Sequence, residues 1–118
     1  MRLAIVGSVS LAGNARAEYV IGRALDRFSP TRVVSGGADG IDKMAASAAR
    51  SRGIEVTEYL PAEPNWERGF KPRNMLIAGD CDVLVRIIAR GSKTYGSGWT
   101  RDRAKEVGVR TYEVVLDV

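Results

Sequence analysis

Histidine is absent from this chain, and cysteine occurs once, at Cys81. One thiol excludes an internal disulfide. Without an imidazole, a zinc site and any Ser/His or Cys/His nucleophilic pair are excluded too. Chemistry must come from carboxylates, arginine, lysine, tyrosine or backbone groups, and no metal or cofactor is expected. Long apolar runs are also missing. Nothing approaches the roughly 20 residues that cross a bilayer, so no membrane partner is expected. The opening Met1-Arg2-Leu3-Ala4-Ile5-Val6-Gly7 lacks the long apolar region and cleavage site of a signal peptide. It reads as a buried first strand, which makes the cytoplasm the expected location. Charge is close to balanced, with 18 basic and 14 acidic residues and a net +4. That excess suits an anionic ligand, yet it is scattered along the chain and much weaker than the patches of dedicated nucleic-acid binders. Most of it reads as solvated surface.

What is present is a strand–helix alternation over 118 residues, one domain's worth spanning 1–118. Leu3 to Val6 forms an apolar run ending in Gly7, as in a strand buried on both faces. Ala17, Val20, Ile21, Ala24, Leu25 and Phe28 recur at helical spacing, with Asn14 as N-cap and Pro30 past the end. Arg32-Val33-Val34 reads as a second strand, and Ile41, Met44, Ala45, Ala48 and Ala49 as a helical stripe closed by Gly53. Ile54 to Leu60 predicts a third strand and Pro61 to Phe70 a loop. Pro72 opens a short helix through Ala78 that Gly79 stops. Val83 to Ile88 predicts a fourth strand, followed by a glycine-rich connection with Gly91, Gly96 and Gly98. A last helix over about Thr100 to Val107 and a strand over Val109 to Leu116 close the chain. This order predicts an α/β fold: a doubly wound, mainly parallel, five-stranded Rossmann-like sheet with helices on both faces. Ligands of such sheets bind beyond the carboxyl ends of the strands.

The loops at those ends carry the unusual residues. Ser35-Gly36-Gly37-Ala38-Asp39-Gly40-Ile41-Asp42 lies between a strand and a helix, where unpaired amides and the helix dipole favour phosphate. Asp39 and Asp42 read as helix caps, or Asp42 as a partner of a ribose hydroxyl. Gly96-Ser97-Gly98-Trp99-Thr100 repeats the pattern after the fourth strand, and Gly7-Ser8 follows the first. Arg73 and Asn74 fall in a first helical turn, where Arg73 can clamp a phosphate. Trp66 and Trp99 either stack on a base or pack under their loops. Arg86 interrupts an apolar strand, and a charge there must face a ligand or mark a sheet edge. Cys81 reads as a buried filler.

Ser35-Gly36-Gly37-Ala38-x-Gly40-x-Asp42, then Lys71-Pro72-Arg73-Asn74-Met75, then Gly-Ser-Gly-x-Thr, resembles the SLOG superfamily over nearly the whole chain. That group includes the Rossmann domain of DNA-processing protein A, the LOG phosphoribohydrolases and short stand-alone nucleotide-sensing members. The resemblance implies a nucleotide or nucleotide-derived ligand, a role as sensor or binding module, and a homodimer or higher homo-oligomer. The turns and helix starts themselves put the expected ligand contacts at Gly7, Ser8, Ser35, Gly36, Gly37, Ala38, Gly40, Asp42, Arg73, Asn74, Gly96, Ser97, Gly98 and Thr100. LOG-like N-glycosidase action on nucleoside monophosphates is an alternative. Arg73 matches the arginine of the catalytic pair, but Arg101 stands where the glutamate belongs, leaving Asp102 as substitute acid. Single-stranded DNA binding is a second alternative, because Trp66, Phe70, Tyr95 and Trp99 lie among Arg68, Lys71, Arg73, Arg90 and Lys93.

Overall fold

A computed structural model describes residues 1–118. Five strands, β1 (Arg2–Gly7), β2 (Arg32–Ser35), β3 (Glu55–Glu58), β4 (Val83–Ala89) and β5 (Arg110–Leu116), form one sheet in the order β3-β2-β1-β4-β5. All four pairings are parallel. Helices α1 (Ala15–Phe28), α2 (Ile41–Ser51), α3 (Lys71–Gly79) and α4 (Tyr95–Glu106) connect them. This is the Rossmann-like α/β arrangement expected from the strand–helix alternation, with β1 at the centre.

Period-two alternation sorts β1 between two cores. Leu3 and Ile5 join Ile21, Leu25, Ile41 and Ala45 in a cluster of 16 buried residues with α1 and α2. Ala4 and Val6 face the other way, joining Ile77, Ala78, Leu84 and Ala104 in a cluster of only 8 with α3 and α4. The first face is thus held by apolar burial. The second is thinner, and polar side chains complete it.

Arg86 is the clearest case. It is buried in the middle of β4, neither at an edge nor facing the ligand end, so the placement expected for it does not hold. Its charge is met by Glu113 on the neighbouring strand and by Ser97 and Thr94 at the start of α4. At the opposite rim, Asp80 accepts two hydrogen bonds from Arg32, both at 2.7 Å, one from Arg2 at 2.9 Å and one from the Tyr59 hydroxyl at 2.8 Å. These ties fasten the end of α3 to β1, β2 and β3. The hydrogen bonds from Arg32, followed by those from Tyr59 and Arg2, hold the Asp80 carboxyl far below its usual range.

Element boundaries follow local chemistry. Asn14 caps α1, its side chain accepting from the Ala17 amide at 2.9 Å. Segment 61–70, expected as a loop, ends in a π-helical turn over Trp66–Phe70 that runs straight into α3. Asn65 caps this turn by accepting from the Arg68 amide at 2.8 Å. Helix α4 starts at Tyr95, five residues before the expected Thr100, so Gly96-Ser97-Gly98 is helical rather than a connecting turn. Arg86 is the reason: its Nη2 donates to the Thr94 carbonyl at 3.1 Å and its Nε to Ser97 Oγ at 3.0 Å, fixing the first turn. A Cβ at Gly98 would sit 3.2 Å from the Arg86 guanidinium, so the missing side chain makes room for the arginine.

Asp80→Asn keeps the shape and removes the charge that four donors share. It is expected to cost about 2–3 kcal/mol of unfolding free energy at pH 7. The Asp80 pKa is depressed in the folded state, so its stabilisation is present above about pH 4 and is lost as pH falls. The gap between the denaturant midpoints of wild type and Asp80→Asn should begin to narrow as pH falls below about 4, most of it closing only below pH 3. A constant gap would show that ionisation is irrelevant there.

Candidate functional site

The strand order reverses at β1 and β4, whose following helices leave on opposite faces, and a crevice opens above that point. Its volume is about 680 Å³. Val6 to Ser10 form the floor, Ala38 and Asp42 one wall, Arg73, Asn74 and Ile77 of α3 another, and Ser92 to Ser97 with Thr100 the last. Of the residues expected at a ligand site, Gly7, Ser8, Ala38, Asp42, Arg73, Asn74, Gly96, Ser97 and Thr100 come together here. Ser35, Gly36, Gly37, Gly40, Gly98, Trp66, Trp99 and Asp102 do not line it.

The β2–α2 loop is built around its own side chains. Ser35 Oγ donates to the Asp42 carbonyl at 3.0 Å and accepts the Gly37 amide at 3.3 Å. Asp42 Oδ2 accepts the Ala38 amide at 3.4 Å. The protein's own oxygens therefore take the amides of Gly37 and Ala38 that were expected to meet phosphate. Gly40 has φ 80°, and a Cβ there would lie 2.4 Å from the Ser8 carbonyl oxygen. This glycine lets the loops after β1 and β2 touch, with the Ile41 amide donating to Ser8 O at 3.4 Å. Asp39 does not cap α2. Gly40 occupies the cap position, and Asp39 pairs in solvent with Lys43 at 2.9 Å.

Asp42 is only 7% exposed. Burial pushes its carboxyl up to about 7, against the opposing pull of Arg73 and the amides of Ala38 and Gly36. Arg73 reaches over the same loop. Its Nη1 donates to Gly36 O at 2.5 Å and to Tyr59 O at 3.5 Å, and its Nε to Asn74 Oδ1 at 2.7 Å. A Cβ on Gly36 would meet that guanidinium at 2.7 Å, so the glycine is a seat for Arg73. Nη2 has no partner in the chain, leaving two donors for a ligand. Burial draws the guanidinium below its ordinary range, while Asp42 raises it. Asn74, itself buried, joins the two sides of the crevice by donating from Nδ2 to Gly96 O at 3.5 Å.

The opposite wall supplies open donors. The Gly98 amide bonds Thr94 O at 3.1 Å, but those of Tyr95, Gly96 and Ser97 have no acceptor in the chain. The Thr94 side chain does not cap the helix, because Arg86 holds it at 2.7 Å. Lys93 lines the crevice beside these amides and makes no ion pair. Below them Ser92 Oγ donates to Ala89 O at 2.7 Å and lies 3.0 Å from Ser8 Oγ, which accepts the Ala89 amide at 3.1 Å. The sequence reading missed Ser92 as a lining group and gave Tyr95 only to the single-stranded-DNA alternative; their position directly after β4 was the available signal.

The base-stacking reading of Trp66 and Trp99 and the acid role of Asp102 find no place in the crevice, while Cys81 is the buried filler expected. Trp66 and Trp99 pack on each other edge to face, with centroids 5.4 Å apart, and lie outside the crevice. Asp102 sits two residues from the inward-facing Thr100 and Ala104, which turns it outward; its side chain is 62% exposed and pairs with Arg101 at 3.0 Å. Cys81 is buried, and desolvation raises its thiol to about 11, which leaves it inert at neutral pH.

The raised Asp42 pKa sets the sign of a pH effect. A carboxyl bound more tightly to its proton when folded stabilises fully below the unfolded value near 4, and that contribution is lost as pH rises through about 7. Asp42→Asn keeps an acceptor for the Ala38 amide and removes the titration. Wild type should lose on the order of 3 kcal/mol relative to Asp42→Asn between pH 4 and pH 8.5. Parallel stability profiles from denaturant titrations would show that Asp42 ionises freely.

A search of the solved structures finds the same architecture in DNA processing protein A from Streptococcus pneumoniae. The TM-score is 0.60 at 17% sequence identity, over 96% of this chain and 58% of that chain. At this identity the likeness is one of fold, and this chain spans little more than half of that chain's length. No curated protein matches the chain. Residues 1–69, from β1 through the Trp66 turn, match the YspA, cpYpsA-related SLOG family. That stretch is more than half of the chain and contains the whole of Ser35–Asp42. The chain therefore belongs to the YspA, cpYpsA-related SLOG family.

Proposed function

We propose that the chain binds a nucleotide or nucleotide-derived phosphate ligand in the crevice above β1 and β4, as a sensor or binding module. One observation carries the reading. Tyr95, Gly96 and Ser97, at the positive end of α4, line the crevice beside Lys93 with amides that have no acceptor in the chain, and Arg73 on the adjoining wall has an unpaired Nη2. A volume of about 680 Å³ suits a nucleotide-sized ligand. The phosphate seat in this reading is the start of α4, because the β2–α2 loop has given its amides to Ser35 and Asp42. Tyr95 takes the base-facing role expected of Trp66 and Trp99. It lines the crevice and is 80% exposed, whereas the tryptophans are engaged with each other. A homodimer, expected from the SLOG resemblance, belongs to the same proposal, and native mass spectrometry reads the subunit count together with any carried ligand.

A second reading, hydrolysis of the N-glycosidic bond of a nucleoside monophosphate, rests on a different residue than the LOG resemblance implied. Asp102 points away, and Asp42 is the one carboxylate lining the crevice. Incubation with a panel of nucleoside monophosphates that yields no free base rejects this reading.

Calorimetric titration with nucleoside monophosphates tests the lead proposal. Arg73→Ala should weaken binding by about 1–3 kcal/mol, the worth of a charge-assisted hydrogen bond. Unchanged affinity removes Arg73 from the site, and no binding by wild type overturns the proposal.

A further inference from the structure

We infer that the crevice selects ribonucleotides over 2′-deoxyribonucleotides, with the Asp42 carboxylate receiving the sugar's vicinal hydroxyls. The inference rests on the nucleotide-binding reading above and names the substrate class of that site.

The argument starts from the distribution of charge. Lys93 and the open amides of α4 stand beyond β4, whereas Asp42 stands beyond β2, with β1 between them. Adjacent strands are about 4.8 Å apart, so the two ends of the crevice are separated by roughly 10 Å. One end presents the open amides and Lys93; the other presents the Asp42 carboxylate, with the Arg73 guanidinium beside it. A ligand that fits both ends has an anion at one end and hydroxyl or amino donors at the other. A phosphate at the Asp42 end would bring like charges together in a desolvated place, which is costly.

Asp42 is more than a loop staple. Its Oδ2 already accepts the Ala38 amide, a bond that an asparagine would make as well. What asparagine cannot reproduce is an acceptor-only group with two equivalent oxygens. Two vicinal hydroxyls match that group, each donating to one oxygen, as acidic residues do with ribose in dinucleotide-binding sheets. Arg73, which lies above Gly36, opposes the effect of burial on Asp42, whose carboxyl is pushed up only to about 7, so the carboxylate form prevails at pH 8. The side chain is 7% exposed yet lines the crevice, so it is desolvated but within reach of a ligand. A sugar without its 2′-hydroxyl leaves one buried acceptor site unfilled, and sites built around a hydroxyl penalise its absence.

The test is paired titration of the ribo and 2′-deoxyribo forms of the four common nucleoside 5′-monophosphates, at pH 8, against wild type and Asp42→Asn. In wild type the deoxy forms should bind about 10- to 100-fold more weakly. In Asp42→Asn that ratio should fall to near 1 while circular dichroism and the unfolding midpoint show the fold retained. Equal binding of both sugars by wild type overturns the inference and leaves the nucleotide reading standing. Discrimination that persists in Asp42→Asn assigns the selection to another residue and removes Asp42. No binding of any monophosphate by wild type overturns both.

Discussion

The burial of one carboxylate organises the ligand end of this fold. Asp42 is held out of water by the amide of Ala38, and by the arginine that leans across Gly36 from α3. That arrangement gives the glycines of the β2–α2 loop their purpose. Gly36 leaves space for the Arg73 guanidinium, and Gly40 lets the loop press against the Ser8 carbonyl. The loop closes on itself through Ser35 and Asp42. The donors that remain open lie across the crevice, at the start of α4.

The start of α4 depends on a second arginine. The face of the sheet beneath α3 and α4 has half as many clustered buried residues as the other, 8 against 16. Ala104 is the one apolar side chain that α4 contributes to that cluster. Arg86 makes up the deficit. It neutralises its own burial on Glu113, and it grips Thr94 and Ser97 so that the helix begins among residues that line the crevice. Asn74 then ties this wall to Arg73. Packing and site geometry are therefore one set of contacts on this face: a group that completes the core also aims a donor.

Much of this was legible in the sequence, for physical reasons that can be named. The buried strands announce themselves as short β-branched runs, and α1 and α2 as stripes with a 3.6-residue period, because each has one partner face. Asn14 and Pro72 mark helix starts through chemistry confined to one turn. Of the Ser35–Asp42 motif, Ala38 and Asp42 stand in one wall of the crevice. What sequence alone concealed depends on distant partners. Three glycines in eight residues at 91–98 read as a flexible connection, yet Arg86 from β4 and Asn74 from α3 hold Gly96 and Gly98 in a helix. The early start of α4 rotates Asp102 outward and brings Tyr95 to the crevice. Trp66 and Trp99, 33 residues apart in the chain, find each other only because the π-helical turn carries Trp66 to α4.

The central claim is a matter of place: an anionic ligand enters above β1 and β4, on the side of α4. Amide-resolved nuclear magnetic resonance during titration with adenosine 5′-monophosphate measures that directly. The account predicts that the largest shifts fall on Ser8 to Ser10 and Lys93 to Ser97, with Ala38 and Asp42 following. Shifts confined to the α1 and β5 surface around Phe28 and Tyr112, with the start of α4 unmoved, would contradict it.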